Sequence, residues 1–444
     1  MLQMYMILAI VLLIPGPANS ESLKLSLRES IAMALGTSHR IKAASSGVQA
    51  AQQNAAAVES RYYPGIFLDE NFIASDTPTR AFMMKLDQGR FTQDDFQTST
   101  LNHPDPRHDF RTAITAEIPL FVPSTAPARA MAVKEAEKEA AHLDAEQEEV
   151  AFQVFRLYLQ ARTAAAQAAV AGQAVADARE NLRLADVRSR AGTGLKSDEL
   201  RARSHLATLE QRLITANNDL AIARMRLATT IGLGLGSRVE TQDEPLAFPL
   251  DASEESLMAA ARAERRDLRA ARTELERTDA AVSLATRAYL PTLGAVAGYE
   301  MHGSAPFSAD NDSWMAGLSL RWQLFDGFGR SRERGRAAAL RTAAGERLRS
   351  SQDEVEFQVR ESLLRREEML QRREVARHAL ADAEEAARLV ARRFENALAT
   401  MVELLDAQTA LNQARATLQA SEADAALATG AVWHACGIFL KEMR

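Results

Sequence analysis

A single cysteine, Cys436, stands among 444 residues, so no internal disulfide can staple this fold. Excess basic charge is missing too: 53 Lys and Arg face 59 Asp and Glu, for a formal charge of -6. No part of the chain offers the positive surface that nucleic acid requires, and no nucleic-acid partner is expected. The apolar run Met4 to Ile14 is too short to span a bilayer and has the length of a signal-peptide h-region. Pro15, Gly16 and Pro17 follow it, and Ala18 and Ser20 are small residues ahead of Glu21, so residues 1–20 read as an export signal. No Lys or Arg precedes the run, the first being Lys24, which leaves a retained anchor as the alternative. No cysteine lies at the cleavage point, which excludes a lipid anchor there. Proline is absent from Ala130 to Ser189 and from Arg330 to Phe394. Each run is about sixty residues, or roughly 90 Å of helix, more than a compact globule holds.

What is present is a duplication. Residues 174–203 and 379–408 align without a gap at an offset of 205, with Ala174, Asp177, Glu180, Arg183, Arg188 and Leu200 falling on Ala379, Asp382, Glu385, Arg388, Arg393 and Leu405. Each is a helix, a short break and a helix again, the tip of a helical hairpin. Val150, Phe152, Gln153 and Val154 recur as Val355, Phe357, Gln358 and Val359. The alanine-rich composition suits close, coiled-coil-like packing. Helices are also expected over Leu27 to Tyr63 and Leu257 to Leu290, ended by Pro64 and Pro291. The returning helices are placed at Ser197 to Ile231 and Thr400 to Trp433.

After each proline the period changes to two. Trp314, Ala316, Leu318, Leu320 and Trp322 alternate with Met315, Gly317, Ser319 and Arg321, a strand wet on one side. Phe110 to Ile118 is its counterpart, and Leu293 to Tyr299 and Ile66 to Ile73 supply partners. Strands of about ten residues with terminal Trp314 and Trp322 fit a membrane barrel wall with an aromatic girdle. Four strands cannot close a barrel, because an open sheet edge in hydrocarbon costs several kcal/mol per group, so the barrel must be shared between chains. An eight-stranded barrel fills its interior with side chains, so three copies suit a conduit better than two. Residues 73–109 read as an irregular stretch of the first hairpin.

The Tyr62, Tyr63, Pro64 junction, the Leu324, Phe325, Asp326, Gly327 turn, the tips at 188–203 and 393–408, and the run Glu403 to Gln408 together resemble the TolC family of outer-membrane efflux proteins. LDQGRFTQDDF, followed by LNHP, also resembles loops of some members. The fold implied is mainly α with a membrane β-barrel portion: duplicated hairpins forming a trimeric α-barrel, and four strands per chain in a shared barrel of about twelve strands. The resemblance further implies a homotrimer in outer-membrane lipid, extending into the periplasm. Its partners would be a periplasmic membrane-fusion adaptor and an inner-membrane pump. Arg188, Gly192, Leu195 and Ser197, with Arg393, Ala397, Leu398 and Thr400, would dock the adaptor. Glu403 and Asp406, at i and i+3, would line the periplasmic mouth as acidic rings. The family's latch joins a Tyr and an Arg of the second tip to an Asp of the first. Asp198 matches that Asp, but Phe394 and Ala399 hold the partner positions and cannot bond to it, so closure is expected to rest on packing or to be looser.

The chain is read as residues 1–20 signal, 21–231 first repeat, 232–254 linker and 255–444 second repeat. Gly192, Gly194, Lys196 and Ser197 lack the glycine before lysine of a phosphate loop, and His434 with Cys436 has no companion ligands, so no cofactor, metal or enzyme activity is expected. The competing reading is a periplasmic coiled-coil scaffold or adaptor with a soluble β domain.

Overall fold

The computed structural model describes residues 23–234, 236–243 and 248–443, so the export signal expected over residues 1–20 lies outside the described residues. In chain order the elements are β1 (Leu23–Leu25), α1 (Leu27–Thr37), α2 (His39–Glu59), β2 (Gly65–Ser75), α3 (Pro78–Asp87), α4 (Thr98–Asn102), β3 (Arg107–Phe121), α5 (Thr125–Arg190), α6 (Lys196–Thr230), β4 (Val239–Thr241), α7 (Glu254–Glu264), α8 (Arg266–Arg287), β5 (Thr292–Gly303), β6 (Asn311–Arg321), α9 (Gly329–Glu395), α10 (Met401–Ala435) and α11 (Phe439–Glu442). Two compact units share them: Met1–Ala43, Leu143–Arg266 and Gln352–Arg444 in one, Ala44–His142 and Asp267–Ser351 in the other. The proline-free runs are the unbroken helices α5 and α9, of 66 and 67 residues.

Two expected helices are each divided. Leu27 to Tyr63 breaks at Ser38 (φ -53, ψ 122), and Leu257 to Leu290 breaks at the equivalent Arg265 (φ -61, ψ 121). The cause lies in tertiary contact. A left-handed glycine follows each returning helix, Gly232 (φ +83) and Gly437 (φ +70); a Cβ at the first would stand 2.3 Å from Thr37 Oγ1, and at the second 3.2 Å from Arg265 Cα. Thr37 Oγ1 also donates to the Ile231 carbonyl at 2.9 Å, and Arg265 Nη1 donates to that of Ala435 at 3.0 Å. Helix propensity carries no trace of such contacts.

In the first unit, Val154, Phe155, Tyr158, Leu227, Ile231, Trp433 and Phe439 form the centre of the core. Gly430 admits the Phe155 ring, since a Cβ there would lie 2.2 Å from it. β4, inside the stretch read as linker, pairs in parallel with β1 at the start of the first repeat, a ribbon of three residues per strand, too short for a periodic signal.

The second unit holds an antiparallel sheet in the order β2-β3-β5-β6. The register places Ile66, Leu68, Phe72, Ile114, Tyr299, Trp314, Leu318 and Leu320 on one face. Opposite them lie Asp69, Asn71, Asp109, Arg111, Glu117, Glu300, His302, Ser313, Ser319 and Arg321. Glu70 and Asp312 also fall on the apolar face, where the Glu70 carboxylate accepts a hydrogen bond from Thr112 Oγ1. α2, α5, α8 and α9 connect at the end of the sheet marked by Gly65 and Arg321, and the β2–β3 and β5–β6 connections lie at the other.

The connection expected as irregular is folded. β2 and β3 extend into it, and between them α3, a 3-10 turn at Gln93–Phe96 and α4 are ordered. Pro78 starts α3, Thr92 and Asp95 form a capping box, and Phe91 meets Phe82 at 4.6 Å and Phe96 at 5.1 Å between ring centroids.

Candidate functional site

Each tip reverses the chain on a left-handed residue. Gly192 (φ +72) serves the first and Ala397 (φ +59) the second, 205 residues apart like the sequences around them. In the first, the amides of Thr193 and Gly194 both donate to the Arg188 carbonyl at 3.0 Å; in the second, the Leu398 amide donates to that of Arg393 at 2.7 Å. These bonds satisfy carbonyls that would otherwise be orphaned at a helix end. Arg393 Nη2 adds a bond to the Leu398 carbonyl at 3.1 Å.

The outgoing helices start differently. Leu195 precedes α6 with no side-chain cap, whereas Thr400 and Glu403 make a capping box: Glu403 Oε2 accepts from the Thr400 amide at 2.7 Å and its hydroxyl at 2.9 Å. The backbone bond from Thr400, then its hydroxyl, hold the Glu403 carboxyl below the usual range. Glu403 is therefore a helix cap as well as an exposed carboxylate. Asp406 is exposed on the next turn, where it favours the charged form of half-buried His205 while burial and Arg212 lower that imidazole's pKa.

Phe394, expected at a latch position, points into an apolar cluster with Ala185, Ala202, Met401, Leu404 and Leu405, and is 8% exposed. Ala399 packs against the same cluster. The Arg188 guanidinium lies over the Phe394 ring, 4.6 Å from its centroid. α5, α6, α9 and α10 all contribute, so the two tips share one small core. Leu195 and Leu398 remain exposed at the turns, as do Gly192, Ser197 and Arg393.

Sequence reasoning missed two further contacts. Glu199, 3% exposed at its side chain, accepts from Lys196 Nζ at 2.5 Å and Arg203 Nη2 at 2.9 Å. The Lys196 hydrogen bond dominates and keeps this carboxyl below its ordinary range. The i-3 and i+4 spacing of its cations was the available signal. Asn181 Nδ2 donates to Gln408 Oε1 at 2.6 Å, between α5 and α10, and nothing in the sequence marks that pair. Trp314 lies within β6 and Trp322 directly after it, and both are exposed. Cys436 is buried, its thiol pushed up to about 11 by desolvation.

The profile of the family described as outer membrane efflux protein matches residues 30–233 and 257–437. The chain belongs to that family. Its place is therefore the outer membrane, with an extension into the periplasm. The two matched segments follow the two repeats. No curated protein matches closely enough in sequence to stand as a relative. Solved structures do match: CusC at 15% identity over 94% of this chain and 93% of its own, TM-score 0.79. The Vibrio cholerae outer membrane protein VceC has 18% identity over 93% and 96%, TM-score 0.76. The Campylobacter jejuni CmeC outer membrane channel has 13% identity over 93% and 86%, TM-score 0.80. At such identities the likeness is one of fold.

Proposed function

We propose that this protein is the exit duct of a tripartite efflux or secretion system, conducting solutes passively from periplasm to exterior when docked to a periplasmic adaptor and an inner-membrane pump. One observation carries the reading. Among the described residues no helix is long and apolar enough to cross a membrane, yet the sheet exposes an apolar face, with Ile66, Leu318 and Trp314 at 76%, 75% and 78% exposure. Such a face needs lipid, and the edge strands β2 and β6 need partners, because unpaired backbone groups are costly in hydrocarbon. Three copies, joined β6 to β2, would supply a barrel of about twelve strands with the polar face lining a lumen.

The tips fit the periplasmic mouth. Exposed Leu195 and Leu398 offer apolar contacts to an adaptor, and Glu403 with Asp406 would form stacked carboxylate rings on threefold repetition. Glu403→Gln with Asp406→Asn tests this sharply, because Gln keeps the capping box while removing charge. Detergent-purified protein is expected to be trimeric and to conduct in planar bilayers, and the double variant to lose most of its cation preference. A monomer without conductance defeats the duct; unchanged selectivity removes the rings.

A further inference from the structure

The folded connection between β2 and β3 is fastened to the polar face of the sheet. Gln88, 5% exposed just after α3, donates its side-chain amide to Asp109 Oδ1 at 2.9 Å and to the His108 carbonyl at 2.8 Å. Asp109 Oδ2 meets His302 Nδ1 of β5 at 2.7 Å, and Asn311 Nδ2 of β6 donates to the Asp87 carbonyl at 2.9 Å. β3 and β6 thus hold the segment directly, and β5 braces Asp109 through His302. Asp109, His302 and Asn311 all lie on the face opposite Trp314 and Leu318. Gly89 (φ +66) then turns the chain against β6, where a Cβ would stand 3.5 Å from that of Asn311. The Phe82, Phe91 and Phe96 contacts and the Lys85–Asp95 ion pair make the remainder a small body with its own core.

The geometry points to residues 76–106 as a cap, drawn inward over the outer mouth of the duct and held there by Gln88, Asp109, His302 and Asn311. This rests on the exit-duct reading, in which the polar face lines the lumen. A connection without such a role has no need to place a buried amide on the lumenal side; it could fold outward from the strand ends. Breaking the Gln88 contact removes a hydrogen bond to a charged acceptor and shifts the cap toward release.

The test reads the outer mouth directly, whatever the state of the periplasmic end. Ser319→Cys, on the polar face at the far end of β6, is labelled in intact cells with maleimide polymers of graded size; buried Cys436 stays unreactive because thiolate is the reacting form. A small maleimide is expected to label every variant. A large one should label the Gln88→Ala background about tenfold faster than the otherwise native chain, the factor for one lost charge-assisted bond. Adding Gly89→Cys and Asn311→Cys and oxidising the pair, whose Cβ spacing suits a disulfide, should restore slow labelling, which a merely damaged barrel would not. Equal large-reagent rates with and without Gln88, or no effect of the disulfide, overturn the cap and leave the duct. Failure of the small reagent to reach Ser319→Cys in any variant overturns the lumenal face, and the cap with it.

Discussion

Gly192 and Ala397 occupy equivalent places in the two tips and share a left-handed backbone, but only the glycine adopts it without crowding a Cβ. The helices that follow reverse the balance. α6 begins uncapped at Leu195 and relies on Glu199 between Lys196 and Arg203, whereas α10 begins with a complete capping box. The second tip also supplies Phe394, Met401, Leu404 and Leu405 to the shared cluster, against Ala185 and Ala202 from the first. One tip is easy to bend and held by charge. The other is strained at its turn and held by packing. Duplication conserved the path of the chain, and divergence moved the stabilising chemistry from one side to the other.

The largest effect should come from the side chain that couples the two. Phe394→Ala is expected to cost about 3–5 kcal/mol, the range for a buried Phe emptied to Ala. Because Arg188 of the first tip lies over that ring, the loss should be felt on both sides. Hydrogen exchange of the α5–α6 and α9–α10 turn amides measures it. Acceleration confined to the second tip would show that the tips open independently, and the shared core would lose its meaning.

A smaller effect separates charge from hydrogen bonding. Both Glu199 and Glu403 have folded pKa values below the ordinary 4.5, so each stabilises its tip fully above that value and loses its contribution as pH falls through the lower folded one. Acid alone should therefore loosen both. Salt should not: Lys196 and Arg203 are largely exposed and their attraction for Glu199 is screened, while Thr400 is neutral. At neutral pH, raising ionic strength is expected to speed proteolysis at the first turn and leave the second nearly unchanged. Equal responses would put the two tips on the same footing.

Much of this was written in the sequence, because long periods are robust. Sixty residues without proline, two alternating strands per repeat and a constant offset place α5, α9 and the sheet with little error. The breaks at Ser38 and Arg265 were not legible, since Gly232 and Gly437 approach them from far along the chain. At the tips, the inability of Phe394 to form a latch followed from its chemistry, but its burial under Arg188 needed the packing of four helices. Thr400 and Glu403 were legible as a capping box from their spacing alone. Glu199 was available by the same arithmetic of i-3 and i+4 neighbours.

The finest distinction is the turn residue itself. Ala397 at φ +59 carries roughly 1–2 kcal/mol of left-handed strain that Gly192 does not. Ala397→Gly relieves it, but glycine loses more conformational freedom on folding, about 0.5–1 kcal/mol, so the net gain should be at most about 1.5 kcal/mol. Slower exchange of the Leu398 and Thr400 amides, with no change at the first tip, is the expected result. Gly192→Ala should do the converse there, with the same magnitude and opposite sign. If Ala397→Gly instead loosens the second tip, its methyl group must be held by packing that outweighs the strain, and the asymmetry between a relaxed turn and a strained one would have to be withdrawn. If the gain appears, the second tip keeps a cost at its apex that the Phe394 cluster and the capping box offset.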